Sequence, residues 1–242
     1  MITFSDERRD MITLDGVKEA IVFAAEHFIK AAKDAIAARN VFTVALSGGS
    51  TPKAIFELIA SPLFRDRVDW QRVKLFWSDE RSTPPDHPES NYHMAMKAGF
   101  STLPIPSENI FRMQAENPDI EKAAEEYEAL IIKHIPNQEF DYIMLGMGDD
   151  GHTASLFPKT HGLHSEGRLV IANFIPQKHT WRMTLTFNCI NKAHAIVIYV
   201  MGASKEAMLR HVFNSYYDPD TLPIQRVGTP AHKALWITDQ KI

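Results

Sequence analysis

Asp149, Asp150 and His152 lie in a glycine-rich loop that directly follows an apolar run. That run, residues 140–145 (FDYIML), has the aromatic and β-branched content of a buried strand, and the glycines after it release the backbone. A histidine and two carboxylates therefore stand at the carboxyl end of a predicted strand, where open α/β sheets bind their ligands. We interpret the loop as a hydrolytic or proton-transfer site.

The glycine spacing of this loop also fits a dinucleotide-binding fingerprint. Residues 146–151 (GMGDDG) match the pattern, and an acidic residue, Glu166, lies farther along the chain. However, the two aspartates would stand where a pyrophosphate needs neutral or positive surroundings, and no helix of useful length is predicted before Pro158. The spacing alone is a weak signal, and we regard the match as coincidental.

Two further interpretations of the same loop remain open. Carboxylate and imidazole groups bind divalent metals, but the spacing here is not a recognised one, such as two histidines one helical turn apart. The candidate ligands of such a site are Asp149, Asp150, His152, His161 and His164. A solvated polar turn without any chemistry is the other alternative.

A second loop has the pattern of an anion-binding site. Residues 41–46 are predicted to form a strand, and a helix is predicted from Pro52 to about residue 60. The residues between them include Gly48, Gly49, Ser50 and Thr51. Backbone amides at a helix N-terminus are unpaired and carry the positive end of the dipole, and glycine lets an anion approach closely. The pattern therefore predicts a phosphate site, although a plain tight turn is the alternative and the Walker sequence is absent.

The composition predicts a soluble, cytoplasmic protein. The 242 residues carry a formal net charge of −4, which argues against a nucleic-acid-binding surface because phosphate backbones require clustered positive charge. The first ten residues lack the apolar core of a signal peptide, and no later segment has the apolar length of a membrane span. Cys189 is the single cysteine, so we expect a reducing compartment and a buried thiol rather than a nucleophile.

Strand-like and helix-like segments alternate along the chain. Apolar residues at three- and four-residue spacing predict a helix over residues 15–39, with Asn40 as its stop. Strands are also predicted at residues 73–77, 168–174, 181–187, 195–201 and 233–238, and helices from Asn91, over residues 116–133 and from Lys205. This alternation predicts an α/β fold with a doubly wound, mainly parallel sheet flanked by helices. Because no repeat or flexible linker is present, residues 1–242 are predicted to form a single domain.

Five motifs span most of the chain: SGGSTP (47–52), SDERSTPPDHPESN (78–91), LGMGDDGHTASLFP (145–158), RMTLT (182–186) and the glycine and lysine of GASK (202–205). In their residues and in their order, these motifs resemble the glucosamine-6-phosphate isomerase/6-phosphogluconolactonase family, and within it the lactonases. Thr83 stands where the family commonly has valine, and the chain ends in Asp239-Gln240-Lys241 where an Asp-Ala-Ala-like sequence is more usual. Neither departure affects a residue that the predicted chemistry needs.

The resemblance implies a fold and a reaction. It implies the fold of the glucosamine-6-phosphate deaminases and hydrolysis of 6-phosphoglucono-δ-lactone to 6-phosphogluconate, in the oxidative pentose phosphate pathway, without a metal or organic cofactor. The related deaminases are the nearest alternative, because they share three of these loops. They continue the GxDGH sequence into a run that contains a glutamate, whereas residues 155–158 here are Ser-Leu-Phe-Pro.

The chemistry of a lactone suggests a role for each polar residue. Its carbonyl is already electrophilic, so hydrolysis needs an oriented water, a base and donors for the developing oxyanion. His152 is predicted to be the general base, and Asp150 to hold its imidazole and stabilise the protonated form. Asp79 is a candidate for contacts to water or to a substrate hydroxyl.

The substrate phosphate requires positive groups that stay charged. Arg81, Arg182 and Lys205 are predicted to converge on one crevice with the amides of Gly48, Gly49, Ser50 and Thr51. Arg81 has an alternative role as structural support, paired with a neighbouring acid.

The expected partner is a small sugar-phosphate lactone, with no nucleic acid and no membrane, and the chain itself is expected to be a monomer or a weak homo-oligomer. A deaminase activity and a non-catalytic sugar-phosphate sensor on the same fold remain alternative functions.

Overall fold

The computed structural model describes residues 2–242, and most of its strands form one sheet. In chain order the strands are β1 (Phe4–Ser5), β2 (Arg9–Thr13), β3 (Phe42–Leu46), β4 (Val73–Trp77), β5 (Asp79–Arg81), β6 (Tyr142–Gly146), β7 (Val170–Ile175), β8 (Thr180–Leu185), β9 (Ile196–Val200) and β10 (Ala234–Thr238). The main sheet has seven strands in the order β1-β2-β10-β9-β6-β3-β4. Each pairing in it is parallel except that of β1 with β2.

The central strands are built mostly of apolar residues. All residues of β3 (FTVAL) and β9 (IVIYV) are buried, as is β6 (YIMLG) up to its final glycine. Continuous apolar runs are typical of parallel strands that are covered on both faces. The carboxyl ends of β9, β6, β3 and β4 therefore lie side by side at one edge, and the polar loops that follow them meet there.

Six α-helices accompany the strands in the described part of the chain. They are α1 (Val17–Arg39), α2 (Ser50–Ile59), α3 (Asn91–Lys97), α4 (Ile120–His134), α5 (Phe187–Ile190) and α6 (Glu206–Asn214). The long helix α1 buries one alanine- and phenylalanine-lined side and contacts β3, β10 and α2. It ends at Asn40, whose φ of 61° is left-handed, and the Asn40 amide donates to the carbonyl of Ile36. This is the predicted stop.

A second, smaller sheet joins the main one beside the loops. Its order is β5-β8-β7, and both pairings are antiparallel. Only Ser78 separates β4 from β5, so the small sheet begins where β4 leaves the main sheet. The Glu128 carboxylate of α4 accepts hydrogen bonds from the backbone amides of Leu169 and Val170, which fixes the start of β7.

The mainly parallel sheet with flanking helices confirms the predicted fold class. The antiparallel sheet was not predicted, because alternation of strands and helices says nothing about two consecutive strands with no helix between them. The helix predicted over residues 116–133 begins at Ile120 instead, since the Asp119 side chain caps it by accepting from the Lys122 amide at 3.1 Å. Among residues 2–242, the helices lack the combination of length and apolar character that crossing a bilayer requires.

Candidate active site

Strand β5 and the loops after β3 and β6 enclose a polar crevice of about 190 Å³. Its lining consists of Ser47, Gly48, Gly49, Asp79, Arg81, Gly146, Met147, Gly148, His152 and Ala154. Three separate motifs of the sequence therefore contribute to one site. The crevice lies at the carboxyl edge of the parallel sheet, as the sequence predicted.

His152 is held on three sides. Its Nδ1 lies 2.5 Å from Asp150 Oδ1, and its ring stacks on Phe157 with 3.8 Å between the ring centres. Gly148 closes the third side: a Cβ built on this glycine would overlap Nδ1 and Cε1 of the ring and lie 2.8 Å from Cγ. The Gly148 amide also donates to the His152 carbonyl at 2.9 Å. The imidazole is thus fixed in position before any substrate arrives.

The contact with Asp150 favours one tautomer of the imidazole. Partial burial pushes the pKa of Asp150 upward, but the hydrogen bond and charge of His152 outweigh it, so the pKa of this carboxyl is lowered. An ionised Asp150 accepts a hydrogen bond from Nδ1–H, which leaves the lone pair of Nε2 free to act as a base. Since 24% of the His152 side chain is exposed, water can reach it.

Asp79 is a buried carboxylate that joins two loops. Its Oδ2 accepts from the Ser155 hydroxyl at 2.6 Å, and its Oδ1 accepts from Asn91 Nδ2 at 3.2 Å. Each oxygen has a further lone pair. Asp79 can therefore accept a hydrogen bond from a hydroxyl in the crevice while it holds both loops.

Asn91 supports the anion loop, the predicted phosphate-binding loop of residues 48–51, at Gly48. Its side chain occupies the space that a Cβ on Gly48 would need, so glycine is required there. Its backbone amide donates to the Glu80 carboxylate, which also accepts from the Tyr92 amide and the Ser90 hydroxyl. Burial raises the pKa of Glu80 in spite of these hydrogen bonds. Glu80 thus fastens the start of α3, and Asn91 with it, to β5.

Arg81 and Arg182 place two positive charges next to each other. They face each other across the pairing of β5 with β8, and each Nε is buried without a hydrogen-bond partner. Burial, followed by the charge of Arg81, lowers the pKa of Arg182. Arg81 Nη1 donates to the backbone carbonyl of Glu89 at 2.6 Å, and its guanidinium forms no ion pair with an acid of the described chain. The substrate-binding and structural roles of Arg81 both stay predictions.

Gly48 and Gly49 belong to the crevice, and Ser50 and Thr51 are the first residues of α2. Gly49 adopts a φ of 106°, a conformation that side chains disfavour, and this turns the chain into the helix. The helix was predicted to start at Pro52, but it begins two residues earlier, at Ser50. The first amides of α2 have no carbonyl partner within the helix and point toward its N-terminal side.

Lys205 reaches the site through another residue. It follows β9, and its Nζ lies 2.5 Å from Oδ1 of Asp149, the residue before Asp150. Asp149 is 87% exposed, so this pair is accessible to solvent. Lys205, Arg182, Ser50 and Thr51 adjoin the crevice but do not form its lining.

The structure bears on the other interpretations of the glycine loop. No helix of any length lies between Gly151 and Pro158, so the element that a dinucleotide fingerprint requires is missing from this described segment. Residues 2–242 contain no group of three or more histidine, cysteine, aspartate or glutamate side chains arranged to hold a metal ion.

Cys189 is fully buried, and burial raises its pKa to about 12.

Several supporting residues were not identified from the sequence. Ser155 and Asn91 lie inside two of the motifs, but only their hydrogen bonds to Asp79 distinguish them from ordinary loop residues. Asn173 of β7 donates to the carbonyl of Ser155, and the Thr184 hydroxyl accepts from the Ser155 amide. The small sheet therefore positions Ser155, and no sequence signal indicated that link.

Known proteins share this architecture over nearly the whole chain. A family model described as glucosamine-6-phosphate isomerases/6-phosphogluconolactonase matches residues 16–236. The chain is 43% identical to a 6-phosphogluconolactonase of Chlamydia pneumoniae, with 98% of this chain and 90% of that protein covered. It is 40% identical to a 6-phosphogluconolactonase of Synechocystis sp., over 86% and 85% of the two chains. The crystal structure of 6-phosphogluconolactonase from Thermotoga maritima superimposes with a TM-score of 0.81 at 29% identity, covering 96% of this chain and 99% of that chain.

Proposed function

The chain belongs to the glucosamine-6-phosphate isomerase/6-phosphogluconolactonase family, and from this membership we propose that it hydrolyses 6-phospho-D-glucono-1,5-lactone to 6-phospho-D-gluconate with His152 as general base. The reaction is that of the oxidative pentose phosphate pathway. The family relation supports the reaction, and one observation carries the mechanism: the 2.5 Å contact of His152 with Asp150 inside a crevice that also holds Arg81.

His152 serves first as a base and then as an acid. Its Nε2 takes a proton from water as the water oxygen attacks the lactone carbonyl carbon, which gives a tetrahedral oxyanion and an imidazolium. The oxyanion then collapses, the bond from this carbon to the ring oxygen breaks, and Nε2 returns the proton to that oxygen. Asp150 stabilises the imidazolium between the two steps, and its lowered pKa keeps it ionised.

The two arginines and the anion loop suit the phosphate. A phosphate dianion would give the unpartnered Nε groups of Arg81 and Arg182 the acceptors that they lack. The amides at the start of α2 offer further donors. The exposed ion pair of Lys205 with Asp149 is worth at most about 1 kcal/mol, so Lys205 can exchange this partner for the phosphate.

The surroundings of His152 favour a lactonase over a deaminase. Isomerising an amino sugar requires a further acid–base group after the GxDGH sequence. Here Ser155 is committed to Asp79, Leu156 is buried, and Phe157 stacks on the imidazole. None of the three can exchange a proton with the substrate.

The first experiment measures lactone hydrolysis above the spontaneous rate, with a chelator present. We expect the purified chain to accelerate it, and His152→Ala to lower turnover by roughly 10²- to 10⁴-fold. Asp150→Asn should act in the same direction, because an amide stabilises an imidazolium poorly. His164→Ala, at an exposed histidine outside the crevice, is the matched control. A folded His152→Ala enzyme with full turnover would refute the assignment of His152 as the base. A wild-type protein with no activity above background would indicate a non-catalytic sensor. Activity that needs added metal would refute the cofactor-free mechanism.

A second experiment tests the phosphate site by comparing the phosphorylated lactone with plain gluconolactone. Arg182→Ala and Lys205→Ala should each reduce kcat/KM for the phosphorylated lactone by roughly ten- to a hundredfold and affect the plain one far less. Lys53→Ala removes an exposed lysine of α2 and is the control. Equal losses on both lactones would assign these residues to structure or to the chemical step. Ammonia release from glucosamine 6-phosphate is the assay for the deaminase alternative, and we expect none.

We also propose that the chain acts as one domain, in the cytoplasm, as a monomer or weak homo-oligomer without nucleic acid. A single hydrophobic cluster that includes residues of both sheets supports the first point. The unpaired buried Cys189 and the net charge of −4 support a reducing compartment and the absence of nucleic acid. Size-exclusion chromatography with light scattering, over a range of concentrations, tests the oligomeric state.

A further inference from the structure

Asp239 contacts the turn that leads to Lys205. It directly follows β10, which lies parallel to β9 with Thr238 opposite Val200. The carboxyl ends of the two strands are therefore neighbours. Asp239 Oδ1 accepts a hydrogen bond from the backbone amide of Gly202 at 2.8 Å. This contact joins residues 37 positions apart at the edge of the sheet that holds the crevice.

Gly202 is the pivot of that turn. Its φ of 95° and ψ of 146° belong to a region that residues with a side chain rarely adopt. The three residues after it form one helical turn, closed by the Lys205 amide, which donates to the Gly202 carbonyl at 3.0 Å. The direction in which Gly202 leaves β9 therefore decides where Lys205 stands, and Asp239 holds the amide at that point.

We propose that Asp239 is a positioning residue for Lys205 and thereby for recognition of the substrate phosphate. This inference rests on the proposed function, in which Lys205 binds that phosphate. The other contact of Lys205, with Asp149, joins two side-chain ends at an exposed position and leaves the backbone of the turn unconstrained. Asp239 is the side chain that anchors this backbone directly.

The proposal predicts how four variants behave relative to one another. Asp239→Ala removes the acceptor, so kcat/KM for the phosphorylated lactone should fall by about three- to tenfold, less than the loss in Lys205→Ala. The value for plain gluconolactone should stay nearly constant. Asp239→Asn keeps an oxygen at the same place and should retain activity within about twofold, because the contact is a hydrogen bond to a neutral amide. The double variant Lys205→Ala/Asp239→Ala should match Lys205→Ala alone, since the two residues act as a unit.

Asp69→Ala is the matched control. Asp69 also precedes a single helical turn and accepts a hydrogen bond from a backbone amide, that of Gln71 at 3.2 Å, but it lies outside the crevice lining. Its loss should leave the preference for the phosphorylated lactone unchanged. The comparison separates the general effect of losing an aspartate cap from an effect on Lys205.

Four results would overturn the proposal. Equal losses on both lactones in Asp239→Ala would assign Asp239 a purely structural role. An additional loss of phosphate preference in the double variant would show that Asp239 acts independently of Lys205. Unchanged preference in Asp239→Ala, with a clear loss in Lys205→Ala, would refute this inference and leave the proposed function intact. Unchanged preference in Lys205→Ala would instead refute the phosphate role of Lys205, and this inference with it.

Discussion

Replacing Gly148 by alanine tests whether the position of the His152 ring matters for catalysis. The new Cβ would overlap the imidazole, which lies between Gly148 and Phe157 and is tied to Asp150. Cβ atoms in proteins do not come within 3.0 Å of such neighbours, so the ring must move. Since 24% of the side chain is exposed, the ring can turn toward solvent without disrupting the fold.

The magnitude follows from the contacts that the ring would lose. A hydrogen bond to a charged group contributes about 1.5–3 kcal/mol and an aromatic stack about 0.5–1.5 kcal/mol, and these two hold the base in place. A displacement of about 1 Å costs on the order of 10²-fold in rate. We therefore expect Gly148→Ala to lose roughly 10²-fold in kcat, with KM changed by less than about threefold because the phosphate contacts remain.

The matched control is Gly146→Ala, two residues earlier at the end of β6. A Cβ on Gly146 meets no atom within 4 Å, so the His152 ring should stay in place and kcat should be nearly unchanged, and because Gly146 lines the crevice any effect of the methyl group should appear in KM. The assay is initial-rate lactone hydrolysis with background subtraction, together with urea unfolding to confirm that both variants are folded. The reasoning is refuted if Gly148→Ala is folded and retains kcat within about threefold of wild type while His152→Ala loses activity.

Three further predictions concern residues outside the chemical step. Thr83 has a buried hydroxyl without a hydrogen-bond partner. Thr83→Val should therefore raise the free energy of unfolding by about 1 kcal/mol in urea titrations and leave kcat/KM unchanged. A destabilised variant would contradict this prediction. Cys189 is buried with a pKa of about 12, so the native enzyme should keep its activity in iodoacetamide at about pH 8, and Cys189→Ala should retain turnover. Burial, followed by the charge of Lys30, lowers the pKa of His27 in the folded protein. The unfolded chain therefore binds the proton at a higher pH than the folded protein does. The free energy of unfolding should consequently fall as the pH drops below about 6.5. His27→Gln should flatten this dependence in urea unfolding between about pH 7.5 and about pH 5.5, whereas His211→Gln, at an exposed histidine, should not.

Convergence of the main site residues could be predicted because parallel strands present their carboxyl ends at one edge. His152, Asp79 and Gly48 each follow a strand that the sequence pattern identified, and their meeting required only that these strands be neighbours. The pairing of His152 with Asp150 was predictable from their separation by two residues. These inferences need topology but no detailed loop conformation.

Other contacts depend on features that a sequence pattern does not encode. Arg81 and Arg182 meet because β5 and β8 pair antiparallel in a second sheet, and a three-residue polar strand has no periodic signal. Asn91 reaches Gly48 only because the Glu80 carboxylate fixes the start of α3. Lys205 was predicted near the phosphate, but its contact with Asp149 and the anchoring of its turn by Asp239 depend on side-chain directions in loops.

The position of β2 between β1 and β10 constrains the order in which the protein can be assembled during synthesis. Residues 9–13 pair with β1 and β10 only, and about 220 residues separate β2 from β10 along the chain. At a translation rate of about 5–20 residues per second, β2 waits roughly 10–45 s for its partner. For the last roughly 2–7 s of that interval, after residues 196–200 have been made, the outer edge of β9 is also open, and an unpaired apolar edge strand is prone to pair with other chains. β2 is made about 220 residues before β10 and is thus among the last strands to join the sheet, and we expect chaperones to protect the edge of β9 until β10 pairs with it.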